Sequence, residues 1–362
     1  MIPGYGIDEV AYMISSKLLT AGYDVTVLTT WLDHSMNLRE IKVRELPLLR
    51  PFFLNEYWHR HFLIDFRGIR LFTEMLEDYD LIITCDPMHI IGASFKIRFN
   101  KPVLMYYFGI VPHNVLDSIG KKMESFRQRM TWYPSFSMAD YIMTNSKYTK
   151  SLLPGKIQKR TVVNYHGIEH LKNKKGNIEE FKRQLDLENK QVILSIGRFS
   201  SPYKGMKDLA QIFAKFIKNN GNTVLVLVGG GTQEIRCSAD LRVLRNLSYE
   251  KLRLCFASCD VYCSASKWEG FDLPLLAAQA NGKPVVAFNV GAHAEVVQDK
   301  KTGFLARDYA DFVSFLNLLL KDGVLRERMG KNAVEYAKDF TWKKSIRIVE
   351  DLIEAASINY RR

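Results

Sequence analysis

The sequence predicts an α/β protein built from two doubly wound parallel-sheet domains of similar size that face a central cleft. Three observations carry that expectation. The chain has 362 residues, enough for two domains of ordinary size. Short β-rich runs alternate with helical patterns almost from end to end, and strands joined by helical crossovers form parallel sheets covered on both faces. Between two such series lies "EHLKNKKGNIEEFKRQLDLENKQ" over 169–191, charged and poor in apolar residues, which reads as a linker plus a surface helix.

In the first series a helix is expected over 8–20, with Gly22 just past its end. Strands follow at "YDVTVLTT" (23–30), "LIIT" (81–84), "PVLMYY" (102–107), "YIMT" (141–144) and "TVVN" (161–164). The second series has "VILSI" (192–196), "TVLVLV" (223–228), "LRVL" (241–244), "VYC" (261–263) and "PVVAF" (284–288). Each run is short and β-rich. Ligands of such sheets bind outside the strands' carboxyl ends, so the loops leaving the strands are where chemistry is expected.

Composition narrows the class. Apolar residues make up 47% and charged residues 25%, a globular profile. No apolar run is long enough to span a bilayer. "MIPGYGIDEV" at the start lacks the basic and apolar regions of a secretory signal, so a cytoplasmic location is expected. The five cysteines show no C-x-x-C pairing. Cys255, Cys259 and Cys263 fall on a helix running into a strand and read as buried small hydrophobes rather than metal ligands. The net charge of +12 predicts attraction to an anion: nucleic acid, a membrane surface or a phosphorylated small molecule. No nucleic-acid motif accompanies it.

Three glycine-bearing loops are candidates for phosphate. After "VILSI" come Gly197 and Arg198, then "FSSPYKG", then a helix near Met206. Arg198 and Lys204 thus stand between a strand's carboxyl end and a helix N-terminus, where cations, free N–H groups and the helix dipole converge on an anion. The same pattern also suits a solvated basic loop. "VGGGTQE" (228–234) again follows a strand, although buried strands often turn on glycine. "PGYGIDEV" lets backbone approach a ligand through Gly4 and Gly6, but Glu9 occupies the third glycine position of a dinucleotide fingerprint and no strand precedes it.

Taken together, these residues resemble the family-4 retaining glycosyltransferases (glycosyl transferases group 1) of the GT-B fold, which has two Rossmann-like domains. The most specific stretch is "DVYCSASKWEGFDLPLLAAQANGKPVVAFNVGAHAEVVQDKKTGFLA" (260–306), similar to the family's E-G-F-G-L-P-L-L-E segment and the G-G-x-x-E-V-V…T-G-F after it. "SIGRFSSPYKGMKDLAQIF", "PGYGIDEV", "ADYIMTNSKYTK" with "VVNYHGIE", and the final "FTWKKSIRIVEDLI" resemble further family segments. The resemblance implies domains at 1–168 (acceptor side) and 169–338 (donor side), with 339–362 crossing back onto the first. It implies that Arg198 and Lys204 bind the donor's diphosphate and stabilise the leaving charge, which would need no metal or other cofactor. Glu269 would face the donor sugar. Gly197, Gly270, Phe271 and Leu273 would line the donor site, Asn246 and Leu247 would hold the base by backbone contacts, and Gly4 and Gly6 would close on the diphosphate.

Four positions depart from the family pattern. Its second Glu, eight residues after the first, is Ala277 here. That contact to the ribose is missing, at a cost of roughly 0.5–1.5 kcal/mol of donor binding. Gln279 lies about 200° round the helix and is a poor substitute. Where the family often has an acceptor-side histidine, Phe108 stands; His113 is five residues on, either as replacement or as a surface-loop residue. The chain begins at the glycine loop, so the usual first strand lies upstream or the first sheet is one strand short. Only about ten residues separate "VGGG" from "LRVL", where the family inserts a helix.

Other features read more simply. Asp78 and Asp80 form a D-x-D motif, but before a strand, which suits a solvated turn. No zinc spacing, P-loop or G-x-S-x-G elbow is present. The aromatic- and arginine-rich 48–72 and "GKKMESFRQRMTWY" (120–133) suit either an interfacial face or ordinary packing with snorkelling cations. The expected function is transfer of a hexose from a nucleotide diphosphate sugar, UDP- or GDP-linked, to a hydroxyl of a glycan or lipid-linked acceptor, with an anionic membrane surface as a further partner where the two segments above are interfacial rather than packed. The competing readings are a lapsed module that binds without turnover and a nicotinamide-dependent oxidoreductase.

Overall fold

The computed structural model describes residues 6–29, 41–45, 66–86, 88–116, 118–173, 177–216, 222–231, 234–235 and 240–361. Gly4, residues 48–65 of the aromatic-rich segment and parts of the 228–240 loop lie outside them. The chain divides into two compact units, Met1–Tyr165 with Lys343–Arg362, and His166–Trp342.

In the first unit, Gly6–Thr20 forms a helix, with Gly22 beyond it at φ +97°. Strand β1 (Thr26–Thr29) pairs in parallel with β2 (Lys42–Glu45), a short polar strand that the sequence reading omits because "KVRE" has no apolar run. A separate parallel sheet carries β3 (Ile82–Cys85), β4 (Val103–Tyr107), β5 (Tyr141–Thr144) and β6 (Thr161–Val163), in that order. All five residues of β4 are buried, as a strand covered on both faces requires. Phe95 from the helix His89–Phe99, and Trp132 and Phe136 from the helix Ile119–Phe136, share one core with Val103, Met105, Tyr107 and Ile142.

The second unit has six parallel strands: β7 (Gln191–Ile196), β8 (Thr223–Gly229), β9 (Leu241–Arg245), β10 (Val261–Ser264), β11 (Val285–Phe288) and β12 (Gly303–Ala306). Their order across the sheet is β12-β11-β10-β7-β8-β9. The winding reverses between β7 and β10, which pair directly, Val261 opposite Ile193. A doubly wound sheet of this order offers its crevice at the carboxyl ends of those two strands. The loop after β7 carries Arg198 and Lys204; the loop after β10 carries Glu269.

Two sequence expectations change. The 169–191 stretch is more than a linker: Leu171, Phe181 and Leu187 are buried. It is also pinned to the second unit, where Arg253 Nε donates to the His170 carbonyl and Asn281 Nδ2 to that of Leu171. Its charges occupy the outer face while three spaced apolar side chains dock. β12 lies inside a stretch noted only as a motif. Cys255, Cys259 and Cys263 are buried as expected, and burial pushes the Cys255 and Cys259 thiols up to about 12; Cys259 caps the helix Tyr249–Ser258 rather than lying within it.

Candidate functional site

The loops leaving β7 and β10 are clasped together. Gly205 ends the first with φ +63°, and a Cβ there would stand 1.9 Å from the Ala265 carbonyl oxygen. Only glycine lets the two backbones approach this closely. The Lys267 N–H donates to the Tyr203 carbonyl at 2.7 Å, the Tyr203 and Trp268 rings meet edge to face, and Lys267 Nζ pairs with Asp208. From the far side Gly291, at φ +55°, packs on Glu269, and the Ala292 N–H donates to the Glu269 carbonyl at 2.9 Å.

This clasp brings Lys204 Nζ to 2.6 Å from Glu269 Oε1. The lysine side chain keeps 25% exposure while the glutamate keeps 5%, so the pair is reachable from the lysine side. The Ser266 hydroxyl also donates to Glu269 Oε1, at 2.6 Å. Burial pushes the Glu269 carboxyl above its ordinary range, with Asp272 adding to the rise and Lys204 and His293 opposing it. Burial works against the charge on Lys204, but the Glu269 and Asp272 carboxylates outweigh it and hold its pKa above the ordinary value.

The second carboxylate, Asp272, went unremarked in the sequence. It caps the helix Leu273–Ala280 through the Leu275 N–H at 3.1 Å and accepts from Ser264 Oγ at 2.8 Å. His293 Nε2 lies 3.1 Å from its Oδ2. An Asp before Leu-Pro is a legible helix start; His293 follows by 21 residues and no local pattern links the two.

Glu269, Asp272 and His293 offer ligand atoms within 4.8 Å of one another, a spacing that also suits a metal. Their hydrogen bonding argues otherwise. His293 Nδ1 faces the Phe288 carbonyl at 2.6 Å, which only accepts, so Nδ1 carries a proton. Nε2 faces a carboxylate already accepting from Ser264 and Leu275, so Nε2 carries one too. An imidazolium has no lone pair for a metal. Burial lowers the His293 pKa, but Asp272 outweighs it and holds it above 6.5; burial likewise raises that of Asp272, but His293 brings it below the ordinary value.

The remaining expected residues are more dispersed. Gly197 donates to the Val228 carbonyl, and Arg198 follows it, half-buried. Gly270 and Leu273 are buried beside Glu269. The Phe271 ring meets His166 edge to face at 5.1 Å, and burial holds His166 neutral, its pKa pushed down to about 3. Asn246, exposed at φ +51°, and Leu247 follow β9, two strands from β7. Between them and the site Arg245 caps the Phe199 ring at 4.7 Å, a contact that sequence spacing does not show. Ala277 is fully buried, and Gln279 turns into the core to donate to the Val296 carbonyl, so it supplies nothing where the family has its second glutamate.

In the first unit Gly6 opens its helix at φ +28°, with nothing within 4 Å of a Cβ position. Phe108 is buried and stacked on Tyr106; His113 is half-buried and starts a short turn, His113–Val115. The loop between them is fixed by two groups absent from the sequence expectations. Asp86, held by His89, accepts from the Phe108 N–H at 3.0 Å and from Gly109, and the Tyr107 hydroxyl accepts from the Ile110 N–H at 2.9 Å.

Comparison with known proteins fits this geometry. Residues 5–171 match the Glycosyltransferase Family 4 profile, and residues 177–336 match that of glycosyl transferases group 1. The chain belongs to the family-4 glycosyltransferases of the GT-B fold. An uncharacterized glycosyltransferase of Haemophilus influenzae is 23% identical across 94% of both chains. A D-inositol 3-phosphate glycosyltransferase of Corynebacterium efficiens is 29% identical over 49% of this chain and 46% of its own. A phosphatidyl-myo-inositol mannosyltransferase of Mycobacterium leprae is 31% identical over 42% and 43%. This glycosyltransferase therefore spans less than half the length of those two relatives. Among solved structures, sucrose-phosphate synthase from Thermosynechococcus elongatus superposes with a TM-score of 0.80 at 19% identity, covering 97% and 93% of the two chains. Anabaena HepE in complex with UDP and glucose gives 0.77 at 18% identity, covering 98% of each.

Proposed function

We propose that this glycosyltransferase moves a hexose from a UDP- or GDP-linked donor to a hydroxyl of a glycan or lipid-linked acceptor, with retention at the anomeric carbon and without a metal. The observation that carries the reading is the buried Lys204–Glu269 contact at the strand reversal of the second unit. As the bond from the anomeric carbon to the leaving oxygen lengthens, negative charge grows on the diphosphate. Arg198 and Lys204 meet that charge with preorganised positive charge, and Glu269 hydrogen-bonds the sugar hydroxyls. UDP and glucose in HepE support the donor class, and the mannosyltransferase relative supports both the hexose and a lipid acceptor.

Calorimetric titration with UDP, GDP and ADP tests the donor. One nucleotide is expected to bind with Kd on the order of micromolar, and the Arg198→Ala/Lys204→Ala variant is expected to lose it. Turnover with the matching hexose, followed by NMR of the product anomer, then tests retention. Binding without turnover of any hexose would favour the lapsed module, which the methyl of Ala277 in place of the family's second glutamate supports.

An anionic lipid surface is the place where the acceptor is met. On the helix Ile119–Phe136, Ile119, Met123, Phe126 and Met130 are 78, 68, 58 and 61% exposed. Their spacing puts them in one narrow stripe. Lys121, Lys122, Arg127 and Arg129 share the helix with a single acid, Glu124. At its end a groove of about 580 Å³ is lined by Met130, Tyr133 and Ile157 with Arg129, Lys156 and Arg160. Apolar side chains rimmed by cations match the interface of an anionic bilayer. Vesicles containing phosphatidylglycerol are expected to pull the protein down, and Met123→Glu/Phe126→Glu is expected to weaken that roughly tenfold or more, given about 1.5–3 kcal/mol per buried apolar side chain. Unchanged binding by the variant would remove this face from the reading. No helix among the described residues is long and apolar enough to cross a membrane.

A further inference from the structure

We propose that His293 is a positioning residue for the transfer reaction: clamped between Asp272 and the Phe288 carbonyl, it neutralises the second buried carboxylate and so leaves Glu269 ionised and bound to Lys204. The inference rests on the donor-site reading above and gives a role to His293, which lies within the 260–306 stretch without one.

Four ionisable groups meet in a buried space: Lys204 on the loop after β7, Glu269 and Asp272 on the loop after β10, and His293 after β11. Tyr262 on β10 also faces the two carboxylates. With His293 charged, two positive and two negative groups balance. Without that charge, two buried carboxylates would share one lysine, and like charges so close cannot both stay ionised. Asp272 accepts from Ser264 Oγ and the Leu275 N–H, and Glu269 Oε1 accepts from both Lys204 and Ser266. Burial already pushes the Glu269 carboxyl up and the His293 charge opposes that rise, so losing the charge moves Glu269 toward its protonated form. A neutral Glu269 would loosen its grip on Lys204 and on the sugar. The Ser264 and Ser266 oxygens lie 3.3 Å apart, but each hydroxyl spends its one proton on its own carboxylate, so the coupling is electrostatic rather than a proton relay.

The test is a pH profile of kcat/KM for wild type, His293→Gln and Asp272→Asn/His293→Gln. Removing the imidazolium raises the Glu269 pKa, so the acidic limb of His293→Gln is expected about one pH unit higher than wild type. Removing both charges takes away the repulsion as well, and the double variant, in which Asn still caps the helix, is expected to bring the limb back. An unmoved limb in the single variant, or a double variant shifted further than the single, would overturn the proposal. The 15N resonances of the eight histidines in the wild-type protein give a readout that needs neither folding of a variant nor turnover. Both His293 ring nitrogens are expected to be protonated at pH 7. One unprotonated ring nitrogen would sink the proposal even in an active enzyme, whereas a doubly protonated His293 in a protein that turns over no donor would fault the donor-site reading instead.

Discussion

Lys204→Ala lowers kcat by about 10²–10³ in the expected result, the range found when one preorganised group facing developing charge is removed. The loss has two parts. The variant withdraws positive charge from the leaving diphosphate, and it strands Glu269. That carboxylate keeps only 5% of its side-chain exposure and has the Ser266 hydroxyl as its other side-chain partner. Leaving a buried charge uncompensated costs about 3–5 kcal/mol, so Glu269 takes up a proton instead, and the variant is expected to fold while titrating differently. Steady-state kinetics with a radiolabelled donor, together with thermal unfolding, separates the two parts. A drop in kcat of less than tenfold would take Lys204 out of the chemistry and leave it a structural cation.

The second large effect falls on a residue with no functional group. Gly205→Ala places a Cβ 1.9 Å from the Ala265 carbonyl oxygen on a backbone at φ +63°. Both the clash and the left-handed conformation oppose alanine. The neighbour is backbone, so no side chain can swing away. The two loops must separate, and with them Lys204 from Glu269. Destabilisation of about 3 kcal/mol or more is expected, a fall in Tm of roughly 6–12 °C for a unit of this size, with turnover lost at temperatures where the protein remains folded. Gly120→Ala is the control: nothing lies within 4 Å of its Cβ position, and it sits in an exposed helix, so it is expected to be neutral or slightly stabilising. Equal effects of the two substitutions would mean that the loop approach does not hold the site.

Much of the architecture was legible because parallel strands announce themselves. β4, β7 and β8 are apolar on both faces and lie within a residue or so of the runs that predicted them. β2 was not legible, since three charged residues around a lone valine on a two-stranded sheet carry no burial signal. The docking of 169–191 was hidden for a related reason: three apolar side chains among many charges decide where the segment packs, while composition averages them away.

The candidate site divides along the same line. Arg198, Lys204 and Glu269 were legible because each follows a strand and stands by glycine, a local pattern. Asp86 was not, because the Phe108 N–H it holds lies across the sheet from β3 to β4; nor was the Tyr107 hydroxyl, which turns back onto the Ile110 N–H, a contact that residue spacing alone does not show. Nor was His293.

By itself the sequence determined the two doubly wound halves, the family and the basic and acidic residues on the strand-end loops, because these depend on periodicity and spacing along the chain. Only the tertiary structure decided that Lys204 and Glu269 touch, that Gln279 faces the core, and that Asp272 and His293 complete a balanced buried charge cluster. Those facts depend on the strand order that sets β7 beside β10 and β10 beside β11. Electrostatic balance in a buried space is fixed by distances through space, which no one-dimensional pattern records.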